Sequence, residues 1–240
     1  MPTRPNVPLV SRPFVTIAVL AGAASAFVPG YPCIGPCPGY PLPPRRLGYP
    51  LLGSPLSDVR LEIFGDNLCA YTKASWPTIK ALAAHYQGQK ASLEIRVHWF
   101  PLPYHHNAFF VAMADHWIGS HKGPATLFAF AEAIFGAQET LLGGAANLTE
   151  PEVHDRIADL AESVGVNRTE FVAQMTNHTT DLVTRVGWKL AATRGVYETP
   201  TFFLNGFRVA EPDKANTGVA NITGWTALID PLLITPPDLS

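Results

Sequence analysis

Acidic residues are missing from the first quarter of the chain, and cysteine is scarce throughout. No Asp or Glu precedes Asp58, and the 240 residues contain only three cysteines, Cys33, Cys37 and Cys69. So few thiols exclude a small disulfide-built scaffold, and no Cys/His set has the spacing of a closed zinc site. No His-x-x-x-His or His-Glu-x-x-His pattern occurs either, so no metal site is expected. Charge is sparse: 15% of residues, with 17 Lys plus Arg against 19 Asp plus Glu. That balance excludes a polybasic nucleic-acid binder or membrane-surface protein. No apolar run reaches the ~20 residues that span a bilayer.

Hydrophobic residues, at 47%, are abundant enough for a substantial core, but the 23 prolines are unevenly spread, 13 of them within the first 57 residues. Arg4 and Arg12 precede an apolar run from Phe14 to Val28 that contains Ala23-Ala24-Ser25-Ala26. A basic start, a short apolar core and an Ala-x-Ala end have the form of a secretory signal peptide, here 1–26, with a buried N-terminal helix as the alternative. Residues 27–57 hold 9 Pro and 5 Gly, and read as an extended, partly polyproline tail or linker. Ala24-Ser25-Ala26-Phe27-Val28-Pro29 also resembles the cleavage motif of bipartite plastid-targeting presequences in algae with secondary plastids. On that alternative the acid-free stretch with Arg45 and Arg46 is a transit peptide, and Cys33 and Cys37 leave with it. Four Asn-x-Thr sequons, at Asn147, Asn167, Asn177 and Asn221, fit glycosylation during passage through a secretory lumen.

Residues 58–240 read as one α/β domain. Val59, Leu61 and Ile63 alternate with polar residues in a strand reaching Gly65. Residues 70–87 have helical spacing with Pro77 inside, where a kink is expected, and 92–100 alternate again. Strand, helix and strand of these lengths predict a parallel pair with a right-handed crossover. Helical patterns fill the insertion, about 103–194: Tyr104–Gly119, Thr126–Leu142, a capping box at Thr149-x-x-Glu152, and one long helix from Asn167 carrying Leu182, Val186 and Leu190. Asn205-Gly206 predicts a hairpin between Thr201–Asn205 and Phe207–Ala210, and a final helix covers Thr223–Leu233. This order is that of a thioredoxin-like fold with a helical insertion between its halves.

Cys69 falls where the first strand meets the first helix. Free N–H groups and the helix dipole stabilise an anion there, and the thiolate is the nucleophilic form of cysteine. Thr72, one turn on, is placed to donate a hydrogen bond to the sulfur. A small buried structural cysteine is the alternative. Further along, Thr199-Pro200 immediately precedes a strand.

Phe64-x-Asp66-x-x-Cys69, the helical insertion, Thr199-Pro200 and the Asn205-Gly206 hairpin together resemble the DsbA-like branch of the thioredoxin superfamily, along residues 58–235. The resemblance implies an α/β thioredoxin-like fold, Cys69 as the attacking cysteine, Pro200 as a cis-proline facing it, and Thr199 as the residue whose backbone pairs with bound peptide or glutathione. It also implies a disulfide-bearing protein or peptide, or glutathione, as partner, with no resident cofactor. The sequence departs from the family in having Thr72 where its second cysteine usually stands.

Without that cysteine, Cys69 cannot cycle alone between dithiol and disulfide. Three routes stay open: an external thiol such as glutathione resolves the mixed disulfide, Cys33 or Cys37 folds back to do so, or turnover has been lost and only a peptide-binding groove remains. Cys33 and Cys37 otherwise pair with each other as a local disulfide. The expected function is a monothiol thiol–disulfide oxidoreductase of a secretory lumen. The alternatives are a non-catalytic peptide-binding module and a glutathione transferase of kappa-like type. His98, His105 and His106 are either acid/base groups near Cys69 or residues of a solvated loop. His116 and His121 are expected on the surface of the insertion, whose aromatic residues Phe109, Phe110, Phe128, Phe130 and Phe135 form its core.

Overall fold

The structure is a computed structural model of the chain and describes residues 46–88, 92–142, 147–210 and 221–233. The signal peptide, most of the tail, and the Cys33–Cys37 pairing lie outside the described residues.

Five strands form one sheet in the order β1-β3-β2-β4-β5. The central pair, β2 (Val59–Gly65) and β3 (Leu93–Trp99), is parallel, from Val59 opposite Leu93 to Gly65 opposite Trp99. Helix α1 (Ala70–Tyr86) makes the crossover between them and runs through Pro77 without interruption. β4 (Thr201–Leu204) pairs antiparallel with β2, and β5 (Phe207–Val209) closes the hairpin. The turn needs two left-handed residues, which Asn205 (φ 47°) and Gly206 (φ 84°) supply at little cost. The insertion holds α2 (Ala108–His121), α3 (Pro124–Gly136), α4 (Gln138–Leu141), α5 (Glu150–Ser163), α6 (Arg168–Met175) and α7 (His178–Thr193), and α8 (Ile222–Leu233) follows the hairpin. The whole is a DsbA-like thioredoxin fold.

Alternation in β2 and β3 separates two unlike faces. Leu61, Ile63, Ile95 and Val97 turn to one side and join Trp76, Leu82, Phe202 and Trp225 in a core continuous with that of the insertion, including Phe128, Phe130 and Phe135. The opposite side carries a smaller apolar group, in which Phe64, Phe203 and Ala191 of α7 meet, and a row of buried polar residues. Glu94, wholly buried, binds Arg96 at 2.6 Å and Arg46 at 2.8 Å. Glu62 accepts from His98 at 3.2 Å and from Arg194 at 2.8 Å. Burial opposes ionisation of Glu62, but the hydrogen bonds and electrostatics of His98 and Arg194 together outweigh it and hold its pKa down at about 2.

Four readings of the sequence need correction. The domain does not begin at residue 58: Tyr49–Leu52 forms edge strand β1, antiparallel to β3, and the Leu47 and Gly48 carbonyls accept hydrogen bonds from Arg96. Composition hid this because Pro is tolerated on an edge strand. The long helix from Asn167 is two helices, since the Asn177 side chain accepts from the Thr179 amide at 2.8 Å and starts α7 afresh. His98 belongs to β3 rather than a loop, stacked on Phe64 with ring centres 4.5 Å apart. His116 is buried, bonded through Nδ1 to the Tyr49 hydroxyl at 3.1 Å. Burial, followed by the nearby His98, lowers its pKa to about 4, so it is neutral at pH 7. His121 is exposed.

Beginning the chain at Asp58 instead of Arg46 should therefore destabilise it, because β3 loses its edge partner, Glu94 loses Arg46, and Arg96 loses the Leu47 and Gly48 carbonyls. We expect a loss of at least about 2 kcal/mol in urea unfolding. Equal midpoints for the two chains would show that β1 is only an appendage.

Candidate functional site

The turn from β2 into α1, Gly65 to Cys69, is held from three directions. Gly65 must lack a side chain, since a Cβ there would come within 2.9 Å of Thr72 Cγ2. Asp66 is buried, its Oδ1 accepting the Leu68 amide at 2.8 Å and its Oδ2 accepting the Leu102 amide at 2.9 Å and His105 Nδ1 at 2.7 Å. One carboxylate thus ties this turn to the loop that follows β3. Asn67 Nδ2 donates to both oxygens of Asp115 on α2, at 2.9 and 2.8 Å. Gln138 Nε2 on α4 donates to the Asn67 carbonyl at 2.7 Å and to the Cys69 carbonyl at 3.2 Å. The insertion therefore positions the thioredoxin half of the site.

Cys69 is the N-cap of α1, in extended backbone geometry, a free cysteine only 4% exposed. The register of β4 on β2, with Thr201 opposite Phe64, sets the residues before β4 beside the end of β2, where α1 begins. The Cys69 thiol accordingly donates to the Thr199 carbonyl at 3.3 Å, and the Thr199–Pro200 peptide bond is cis. Thr199 is itself buried, and its Oγ1 has no hydrogen-bond partner among the described residues. Cys69, Thr199 and Pro200 are thus brought together.

Thr72 is not placed as expected. Its hydroxyl is turned to the loop, accepting the Asp66 amide at 3.3 Å, because that amide has no ladder partner once β2 has ended. The residue is buried and supports the turn rather than the sulfur. Among the sequons, Asn167 and Asn177 are helix N-caps, Asn221 Oδ1 accepts the Gly224 amide at 2.9 Å, and Asn147 is exposed.

Electrostatically the site is rich in carboxyl groups. Burial, together with the charge of Asp66, raises the Asp115 pKa well above its ordinary value despite the Asn67 hydrogen bond. Tyr104, exposed on the loop beside His105, is pushed above the usual phenol value by partial desolvation and by the charges of Cys69, Asp66 and Glu198. Among the described residues, no group of three or more His, Cys, Asp or Glu is arranged to hold a metal ion. Sequence reasoning missed Asp115 and Gln138 altogether, and Asp66 entered it only as a letter of a motif. No local pattern reveals partners 36 to 71 positions away along the chain.

Solved structures with the same architecture include a protein assigned as a protein-disulfide isomerase from Pseudomonas syringae (TM-score 0.60, 17% identity, covering 74% of this chain and 96% of that one). BdbD from Bacillus subtilis aligns at TM-score 0.58 and 17% identity over 78% of this chain and 96% of its own. DsbA from Pseudomonas aeruginosa aligns at 0.52 and 18% over 77% and 86%. At these identities the likeness establishes the fold. No protein-family model matches the chain, and no curated protein matches it in sequence.

The raised pKa of Asp115 gives a signed prediction. A carboxyl whose native pKa is raised binds its proton more tightly when folded, so its burial costs stability as pH climbs above the ordinary 3.8. Asp115→Asn should gain stability relative to the wild type as pH rises from acid toward neutrality, read as diverging urea midpoints. Parallel pH profiles would mean that the fold does not raise the Asp115 pKa.

Proposed function

We propose that this protein is a monothiol thiol–disulfide oxidoreductase acting on disulfide-bearing proteins or glutathione mixed disulfides. The observation that carries the reading is the Cys69 sulfur at the start of α1, 3.3 Å from the Thr199 carbonyl and beside the cis Thr199–Pro200 bond. The Cys69 thiolate attacks one sulfur of a substrate disulfide, forming a Cys69–substrate disulfide and expelling the other sulfur as thiolate. An external thiolate such as that of glutathione then attacks the mixed disulfide and frees Cys69, so sulfur oxidation states and charge balance over the cycle. Free N–H groups and the dipole at the start of α1 favour the anionic sulfur in each step. The fold shared with BdbD and DsbA supports this chemistry by analogy, while the monothiol cycle is inferred from this chain's own Thr72.

The basic, apolar and small-residue order at the N-terminus supports export to a secretory lumen, with a secondary plastid as the alternative destination. No described helix is long and apolar enough to cross a membrane. The sequons are proposed glycan acceptors, and Cys33 with Cys37 a local disulfide. Kappa-like glutathione transfer rests on the same sulfur and the same Thr199–Pro200 segment.

One observation favours a second reading, a non-catalytic groove for extended peptides: the sulfur is nearly buried, with its proton engaged by the Thr199 carbonyl. Turnover separates the two. With a glutathionylated peptide and reduced glutathione, the wild type should release peptide catalytically, Cys69→Ser should be inactive, and the Cys33→Ser/Cys37→Ser pair should be unchanged. With oxidised glutathione supplied to join the Cys69 thiol and the introduced thiol in a disulfide, Thr72→Cys should add oxidase activity toward a reduced, unfolded protein, the enzyme disulfide being reduced as the substrate disulfide forms. Equal rates for wild type and Cys69→Ser would leave only the binding reading.

A further inference from the structure

Beyond the sulfur site, the loop after β3 and the outer side of α7 enclose a cavity of about 390 Å³. Its apolar walls are Pro101, Leu102, Pro103, Phe109 and Trp188. Trp188 stacks on Phe100 at 5.7 Å and 17° and is 39% exposed, so the indole is held in place yet open to solvent. The basic side chains at the edge are engaged: Arg185 donates to both Asp181 oxygens at 2.8 and 3.0 Å, and His105 is bonded to Asp66 at 2.7 Å. What the cavity offers a ligand is therefore aromatic and aliphatic surface, of a volume within the ~300–1,000 Å³ of small-molecule sites.

The chain that precedes β1 is directed toward this surface. β1 runs antiparallel to β3, with Tyr49 opposite Val97, so the residues before Tyr49 head for the end of β3 where the cavity loop begins. Gly48 lies against the His98 ring, where a Cβ would come within 2.6 Å, and Arg46 reaches Glu94. His98 stacks on Phe64, which shares an apolar cluster with Phe100, Leu102 and Ala191 of α7. The chain before Arg46 thus departs on the side of the sheet that α7 covers. There the sequence reads Pro38-Gly39-Tyr40-Pro41-Leu42-Pro43-Pro44, four prolines, a tyrosine and a leucine with no charge. At ~3.1 Å per residue of extended polyproline chain, these residues fall about 6 to 25 Å from Arg46. From Glu94 to the loop at Pro101 is about 23 Å at ~3.3 Å per strand residue, so the segment is long enough to arrive. Proline-rich segments dock in aromatic-lined grooves because their rings pack on aromatic faces and their stiff backbone loses little entropy. A tether of this length also supplies an effective concentration in the millimolar range, so a weak contact suffices. We infer that residues 38–44 of this same chain occupy the cavity and pack Tyr40 and the proline rings against Trp188 and Phe109. The segment lies beyond the 1–26 signal peptide and stays attached when that is removed. The inference uses no chemistry of Cys69.

Acrylamide quenching of tryptophan fluorescence tests this on the full chain, because Trp76, Trp99, Trp117 and Trp225 are each no more than 4% exposed and Trp188 alone of the five is open. In the wild type, the docked segment should shield Trp188. The full chain carrying Tyr40→Ser, Pro41→Ser and Leu42→Ser should lose that protection, and adding Trp188→Phe should remove the extra quenching. A free peptide of residues 38–45 should restore protection to the triple variant saturably, while a scrambled peptide of the same composition should not. Cys69→Ser should be quenched as the wild type is, which keeps this inference separate from the redox proposal. Equal quenching of the wild type and the triple variant would overturn it. So would equal protection by the scrambled peptide, which would make the cavity a general acceptor of proline-rich partners.

Discussion

A single buried carboxylate holds the site together. Asp66 sits where β2 ends, and each of its oxygens is answered: one by the Leu68 amide, the other by the Leu102 amide and the His105 ring. Burying an ion is costly unless its acceptor capacity is met, and here the donors come from the two loops that must stay adjacent for the thiol to be presented. The Asp66 carbonyl also accepts the Cys69 amide at 2.9 Å, so the start of α1 follows from the same residue. Asp115 is the counterpart. Burial first, and then the charge of Asp66, push its pKa upward, which favours its neutral form beside a carboxylate that is already buried.

Support for the sulfur comes from both halves of the fold. The thioredoxin half supplies Cys69 and, through the pairing of β4 with β2, the Thr199 carbonyl. The insertion supplies Gln138 and Asp115, which hold the peptide units and the side chain of the turn. Removing either half would leave the sulfur on a loop without its supports. The cavity beside α7 shares this arrangement, because its His105 wall is fixed by the same carboxylate.

Much of the architecture was legible in the sequence where a local period decides it. The alternation at Val59, Leu61 and Ile63, the Thr149 and Glu152 capping box and the Asn205-Gly206 turn all depend on near neighbours, and each lies where the pattern placed it. Legibility failed where a distant partner decides. Tyr49–Leu52 lacks alternation and lies in Pro-rich sequence, yet the open edge of β3 recruits it. Glu94, Arg96 and His98 are the polar residues of the β3 alternation, yet all three are buried: Glu94 pairs with Arg96 and Arg46, and Glu62 takes both His98 and Arg194. At the site, Cys69 and Thr199–Pro200 were visible as motif residues. The direction of the Thr72 hydroxyl was not, because an orphan amide at the end of β2 claims it.

The central claim is that this fold makes Cys69 a better nucleophile than an ordinary cysteine, despite its 4% exposure. The most direct measurement is the rate of mixed-disulfide formation with oxidised glutathione at pH 7, in a chain carrying Cys33→Ser and Cys37→Ser, compared between the native protein and the same protein unfolded in urea. The account predicts faster reaction in the native state, by about tenfold or more, from the helix N-terminus acting on the thiolate. A native rate below the unfolded one would mean that the fold shelters the sulfur, and the redox account would fail.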